Sequence, residues 1–464
     1  MYVHWHRRDL RVEDNRALSS SDPVLPVFVF DEEVLSHAAP PRVSFMLSAL
    51  ESLREEYRER GGGLLFLRGD PREEIPRIAT ACDAECVVWN RDYSGLAKAR
   101  DADVRDALAD AGIERRAYHD ALLHTPGTIT TNQGDYYSVY TYFWKKWRDR
   151  EKDAPFDAPD EIVVPDEVAE DGIEIPTLAD LGFEEPEGTI PPAGTEAARD
   201  LLSKFCERDA YRYDEARDYP AREATSRLSP HLKFGTVGIR EVWETTERAK
   251  NDAGNEDEAE SVEEFQGQLA WREFYAHVLD DDPSVVVENY KDYRYDIAWR
   301  DDPDGVQAWK DGETGYPIVD AGMRQLREEA WVHNRVRMIV ASFLTKDLLV
   351  DWREGYDWYR RKLVDHDTAN DNGGWQWAGS TGTDAQPYFR IFNPMTQGER
   401  FDSDAEYIKR FVPELSDVPP EKVHEWNELE PDEREDLAPE YPDPLVDHSE
   451  RREMAITMFE NARG

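Results

Sequence analysis

Over roughly the first 125 residues, short runs of β-branched and aromatic residues alternate with longer stretches whose apolar positions recur at helical spacing. PVFVF at Pro26–Phe30 predicts a buried strand, and SFMLSALESLREEYRERGGG a helix stopped by the three glycines at its end. LLFL at Leu64–Leu67 predicts the next strand, IPRIATAC a helix, CVVW at Cys86–Trp89 a further strand, and the stretch through ADVRDALADAG a further helix. Repeated βα of this kind predicts an α/β N-terminal domain over 1–128, with a doubly wound, parallel sheet of the five-stranded type. No G-x-G-x-x-G opens any of these helices, so a dinucleotide site of the usual kind is not supported.

From about Asp153 to Pro192 the chain turns to Pro, Asp, Glu and Gly with weak periodicity, so 129–194 is expected to be a long interdomain connection. Beyond Thr195 the strand pattern ends. YPIVDAGMRQLREEAWVHNRVRMIVASFLTKDLLVDW carries apolar residues at helical spacing almost throughout, and 195–464 is expected to be a larger all-α domain. Within it, NDAGNEDEAESVEE reads as a solvated acidic loop.

Composition changes the picture in two ways. With 56 Lys+Arg against 100 Asp+Glu, the net charge is −44, spread along the chain rather than gathered in a tail. With 14 Trp, 21 Tyr and 17 Phe the chain is too aromatic to be disordered, so the acid implies a folded protein adapted to high salt. A nucleic-acid partner would need a local exception, and one exists between Asp320 and Leu363. There nine basic residues (Arg324, Arg327, Arg335, Arg337, Lys346, Arg353, Arg360, Arg361, Lys362) face seven acids. Three cysteines cannot build a disulfide framework; Cys82 and Cys86, one helical turn apart, are expected to be small half-buried residues, and no metal site is expected. No apolar run approaches about 18 residues and no signal peptide opens the chain, so a soluble, cytoplasmic protein is expected.

Two stretches carry chemistry. In DHDTANDNGGWQWAGSTGTD (Asp365–Asp384), Trp375 and Trp377 stand two positions apart, which on a helix points them to different sides. One ring can then face a buried cofactor and the other a stacking ligand such as a nucleobase. TSRLSPHLKFG (Thr225–Gly235) sets hydroxyls and an arginine before a helical stretch, which suits either a helix cap or a phosphate.

WHRRDLRVEDN (Trp5–Asn15), TSRLS (Thr225–Ser229), WREFY (Trp271–Tyr275), GYPIVDAGMRQL (Gly315–Leu326), WVHNRVRMIVASFLTKDLLVDWREG (Trp331–Gly355) and NGGWQWAGSTGTDAQPYFRIFNPMTQGERFD (Asn372–Asp402) follow one another in order. Together they resemble the photolyase/cryptochrome flavoproteins, and most the microbial, haloarchaeal-type class I cyclobutane pyrimidine dimer photolyases. The resemblance implies an N-terminal antenna domain and a helical domain holding FAD. It implies light-driven repair, in which excited reduced FAD passes an electron to a pyrimidine dimer flipped out of DNA. FAD-binding positions would be Tyr213, the loop Thr225, Ser226, Arg227, Leu228 and Ser229, then Arg272, Asp365, His366, Asp367 and Asp371. Trp375, Trp352 and Trp299 fall where the family places its electron-transfer chain. Gln268, Trp271, Tyr275, Asn334, Arg335, Met338, Trp377 and Gln397 match the lesion pocket and its rim, and Arg217 and Arg390 match phosphate-facing positions.

Arg8, Asp92 and Lys233 match positions that hold 8-hydroxy-5-deazaflavin in deazaflavin-binding relatives. Leu96 and Ala97 replace the Asn-Glu pair of folate binders. A deazaflavin antenna is therefore expected before methenyltetrahydrofolate. Damaged DNA is the implied partner, with no membrane and a monomeric state. Two positions depart from the pattern. Gln268 replaces the carboxylate expected to bind the dimer, and Asp371 replaces the asparagine usually facing flavin N5, as in plant cryptochromes. A raised pKa at Asp371 would suit a blue-light photoreceptor with little or no repair activity, which is the alternative function. Against it stand Trp377, where plant cryptochromes have tyrosine, and the absence of a signalling tail.

Overall fold

In the computed structural model, which describes residues 1–464, the N-terminal part is a five-stranded parallel sheet flanked by helices. The strands are β1 (Tyr2–His6), β2 (Val24–Phe30), β3 (Leu65–Arg68), β4 (Cys86–Asn90) and β5 (Glu114–Tyr118), in the order β3-β2-β1-β4-β5. Central β1 pairs with both neighbours, Val3 opposite Leu25 of β2 and Val87 of β4. All seven residues of β2 are buried, as a parallel strand covered on both faces requires. Sequence periodicity left out β1, with its two histidines, and β5, whose Glu-Arg-Arg start suits an exposed sheet edge. Helices Pro40–Glu59, Pro71–Ala81 and Gly95–Asp110 follow the expected pattern, and Gly61, at φ 78°, ends the first. Cys82 lies just past its helix and Cys86 on β4, so they do not share a helical turn.

Three further expectations change. Within 129–194, residues Tyr140–Asp149 form a helix whose Phe143 and Trp147 are buried in a core shared with helices Thr195–Glu207, Ile239–Asn251 and Glu256–Asp281. The cause is an aromatic stripe, Tyr140, Phe143, Trp144 and Trp147, on one helical face. The stretch read as an acidic loop instead opens the 26-residue helix Glu256–Asp281. Asn255 caps it, and Glu256, Asp257 and Glu258 lie where the helix dipole favours negative charge. Finally, the long periodic stretch after Tyr316 is broken into helices Pro317–Glu329, Asn334–Ser342 and Trp352–Lys362. Ala330 at φ 49° and a π-helical turn at Phe343–Asp347 make the breaks. These helices surround the largest apolar core, which includes Trp309, Trp352 and Trp375.

The sheet and the helices are joined by a buried charge quartet. Arg240, from helix Ile239–Asn251, pairs with Asp14 and Asp120, and Arg11 pairs with Asp120 as well. All four are at most 3% exposed. No helix is long and apolar enough to cross a membrane.

Candidate functional site

The order β3-β2-β1-β4-β5 places a topological switch beside β1, where parallel sheets open a crevice at the strands' carboxyl ends. A cavity of about 490 Å3 occupies that crevice and reaches the helical part. Trp5, Phe28, Phe30 and Leu96 give it apolar walls, and Arg8, Asp92 and Lys233 converge there, as do Arg272, His366 and Asp367. Arg8 donates to Asp92 Oδ1 at 3.2 Å and to Asp367 Oδ2 at 2.9 Å. Burial alone would raise both carboxyl pKa values. Arg8 and Lys233 outweigh it, lowering Asp92 to about 2 and Asp367 further below the ordinary carboxylate range. Burial, with Arg8 nearby, lowers the Lys233 amine to about 8.

Behind this cavity lies helix Thr368–Gly379, which carries most of the stretch Asp365–Asp384. Asp367 caps it, accepting from Asn370 N–H, and Ser380, at φ 65°, ends it. Trp375 is 2% exposed, 5.0 Å from Tyr359 and 6.0 Å from Trp309 between ring centroids. Trp377 is half-buried on another side, 6.4 Å from Phe392. The two rings thus have different aromatic neighbours, as their spacing predicts. Gly373 allows the Tyr275 ring to touch the helix, because an added Cβ would lie 2.2 Å from that ring. Gly374 has open space, so it serves no close approach within the protein.

Asp365 accepts two bonds from Arg337, at 3.0 and 2.8 Å. Asp371 is engaged by His366 Nδ1 at 2.6 Å and by Arg337 at 3.5 Å. It is therefore a paired carboxylate, shared between a histidine and an arginine. Nearby, Trp375 Nε1 and Tyr359 Oη are buried with no protein partner. Unpaired buried donors cost about 1–3 kcal/mol each, so this region fits a bound group bearing hydrogen-bond acceptors.

A family model described as DNA photolyase matches residues 2–160, and one described as the FAD binding domain of DNA photolyase matches 265–461. A deoxyribodipyrimidine photo-lyase from Halobacterium salinarum is 62% identical, with both chains fully covered. The chain belongs to the DNA photolyase family. Among solved structures, a class III photolyase from Agrobacterium tumefaciens superposes with a TM-score of 0.91 at 36% identity, covering 99% of this chain and 97% of its own. An archaeal photolyase from Sulfolobus tokodaii, solved with two FAD molecules, superposes with a TM-score of 0.83 at 33% identity, covering 99% of each.

The other positions expected from photolyases divide as follows. Tyr213 is buried against Phe205 and Phe265. Thr225 and Ser226 are half-buried and Leu228 is buried, while Ser229 Oγ accepts from Trp331 Nε1. Arg227 turns to Glu329 at 3.1 Å and lies 3.5 Å from the centroid of the Trp331 ring. Arg272 donates to the carbonyls of Ala121 and Leu232, which ties it to the interdomain cavity. Trp352 is buried, with Nε1 on Asn289, whereas Trp299 is half-buried beside Phe459. Of the three tryptophans, Trp375 and Trp352 are thus buried and Trp299 is partly exposed.

On the expected DNA rim, Gln268, Met338 and Gln397 are half-buried, and Asn334 and Arg390 are exposed. Arg217 and Arg335 are held by Glu264 and Asp218 at 2.7 and 2.8 Å. The basic island is not a free phosphate-binding face. Arg324, Arg337 and Arg353 pair with Glu414, Asp365 and Asp351, and Arg327 and Lys362 with Glu187. Arg360 and Arg361 share Asp357, and Lys346 is buried on Ser380 Oγ. Its small positive excess is offset by acids from outside 320–363.

Sequence reasoning missed Tyr359, Tyr356, which lines the cavity, and Tyr140. The first two share a helix face with Trp352 at i, i+4 and i+7, a signal that was available. Tyr140 stacks on Trp271 at 3.7 Å and was hidden in a segment assigned to a connection.

Proposed function

We propose that this protein is a deoxyribodipyrimidine photo-lyase that uses light and FAD to reverse cyclobutane pyrimidine dimers in DNA. The full-length identity to the Halobacterium enzyme carries this conclusion. The lesion would stack on Trp377 and Trp271, with Gln268 hydrogen-bonding a pyrimidine edge, because flipping a damaged pair costs little and exposes its π-face. FAD would be held by the Thr225–Ser229 loop and Tyr213 at one end, and by the Arg337–Asp365 pair, Asp367 and the Asp371–His366 pair at the other. When bound and excited in its reduced form, FAD supplies the electron that opens the dimer. Trp375, Trp352 and Trp299 carry electrons inward from the surface. The deciding experiment is blue-light repair of a thymine dimer in an oligonucleotide, by the reduced FAD-loaded protein in high salt. Turnover is expected; no turnover, with FAD and DNA both bound, would overturn the assignment. The photoreceptor alternative is not favoured, because the relative that is 62% identical over the whole length is a photo-lyase.

The antenna belongs to the same proposal. Arg8, Asp92 and Lys233 offer two cations and a carboxylate around an apolar slot, which suits the polar edges of a planar deazaflavin. Acid denaturation of the natively purified protein should release 8-hydroxy-5-deazaflavin beside FAD. Lys233→Met should lower deazaflavin occupancy roughly tenfold or more while leaving FAD in place, since a charge-assisted bond is lost. Recovery of folate alone, or of a second FAD, would rule out a deazaflavin antenna.

At Gln268 an amide can bond a pyrimidine carbonyl but cannot bring a carboxylate's charge. Gln268→Glu should raise the repair yield per absorbed photon, because a carboxylate can accept a charge-assisted bond from a pyrimidine N–H. An unchanged yield would show that the amide suffices. The division into an antenna part (1–128), a connection (129–194) and a cofactor- and lesion-binding part (195–464) is retained, with 140–149 packing on the last. A monomer working in the cytoplasm completes the proposal.

A further inference from the structure

We propose that Tyr140 is a positioning residue of the lesion pocket, holding the Trp271 ring in the orientation on which a flipped pyrimidine dimer stacks. This rests on the assignment of Trp271 to that pocket. The Tyr140 and Trp271 rings lie 3.7 Å apart between centroids and within 9° of parallel. Other stacked pairs in the molecule, such as Tyr93–His119 at 5.8 Å and 16°, are looser. One face of Trp271 is therefore covered by Tyr140. Phe274 meets the ring nearly edge-on at 5.6 Å, and Tyr275 lies tilted at 5.5 Å.

Tyr140 is itself fixed at both ends. Its hydroxyl donates to the carbonyl of Gly267 at 2.7 Å, four residues before Trp271 on the same helix. Its backbone N–H donates to Asp384 Oδ2 at 3.2 Å, and Asp384 N–H donates to the carbonyl of Ser138 at 3.1 Å. The segment carrying Tyr140 is thus pinned both to the helix of Gln268 and Trp271 and to the loop that follows Trp377. Behind it, Trp144 lies 6.5 Å away at 17°, and Trp144 stacks in turn on Trp147 at 5.5 Å. A half-buried tryptophan with a free χ angle would have to be ordered each time a lesion binds; a ring already clamped does not.

The test compares Tyr140→Leu, Tyr140→Phe and Trp271→Ala as FAD-loaded proteins. Affinity for dimer-containing and undamaged oligonucleotides is measured, and base flipping is read from 2-aminopurine fluorescence beside the dimer. Tyr140→Leu should weaken dimer binding roughly three- to tenfold, the worth of an aromatic pair, and reduce the flipping signal. Its affinity for undamaged DNA should fall by less than its affinity for the dimer. Tyr140→Phe, which keeps the stacked face, should restore most of the dimer affinity. Wild-type dimer binding by Tyr140→Leu, with binding lost in Trp271→Ala, would overturn the role of Tyr140 alone. No loss in Trp271→Ala would overturn the pocket assignment, and this proposal with it. If Tyr140→Leu does not fold, Asp384→Ala releases the backbone anchor at an exposed position. A reduced flipping signal is then expected, and an unchanged one overturns the proposal.

Discussion

Replacing Trp375 with phenylalanine is expected to slow light-driven reduction of bound, oxidised FAD by an order of magnitude or more. Dimer repair by protein reduced chemically beforehand should be largely preserved. An indole is far easier to oxidise than a benzene ring, and a barrier increase of about 1.4 kcal/mol already costs tenfold in rate. The position of Trp375 is narrowly defined. A Cβ at Gly355 would lie 2.0 Å from its ring, Tyr359 and Trp309 meet it edge-on, and it is 2% exposed. Phenylalanine fills most of that space, so the fold and FAD content should survive. The measurement is the bleaching of FAD absorbance under blue light with an external reductant. Undiminished bleaching would remove Trp375 from the chain, and a loss seen only in Trp309→Phe would redirect the path through that neighbour.

Arg240→Met is expected to destabilise the protein by about 3–5 kcal/mol, the usual result of removing one partner from a buried ionic network. Arg240 is the helical domain's contribution to the quartet. Without it, Asp14 and Asp120 would remain buried with only Arg11 between them. Burial raises the Asp14 carboxyl, whereas at Asp120 the same burial is outweighed by Arg11 and Arg240, and its pKa is lowered. Asp120 therefore contributes stability above the ordinary aspartate pKa and loses it as pH falls through its lower folded value. The wild type should lose this contribution in acid, and Arg240→Met should lack much of it even at neutral pH. Urea unfolding of the FAD-loaded protein across pH, in high salt, checks both statements. A midpoint unchanged at neutral pH would show that the quartet does not join the domains. Arg240→Lys should fall between the two, because it keeps the charge but loses the fork that reaches both acids.

The βα alternation over the first 125 residues was legible because parallel strands buried on both faces read as continuous apolar runs. β5 escaped that logic: an exposed edge strand rich in arginine has no apolar run to show. The helix Tyr140–Asp149 escaped for another reason. Its aromatic stripe was present, but the proline- and acid-rich text around it suggested a connection, and only packing against the helical core revealed its role.

At the site, the i and i+2 placement of Trp375 and Trp377 was enough to separate their rings, since helical geometry depends on spacing alone. The convergence of Arg8, Asp92 and Lys233 could be expected only through resemblance, and that of Asp367 with them not even so, because these residues are brought together by two strand ends and two helical segments. Charge was the least legible property. Nine basic residues between 320 and 363 suggested a phosphate-binding face, yet their partners include Glu187, Asp218 and Glu414, distant in the chain. Asp371 likewise had an identity that the sequence stated plainly and a pairing that it did not.

By itself, then, the sequence determined the two architectures, the family and the sides of one helix to which two tryptophans turn, because these follow from local periodicity and motif order. Only the tertiary structure decided which charges are neutralised, which carboxylate is paired and which ring backs Trp271. Electrostatic and stacking partners are set by distance in space, and a chain of 464 residues brings together groups that its local pattern cannot relate.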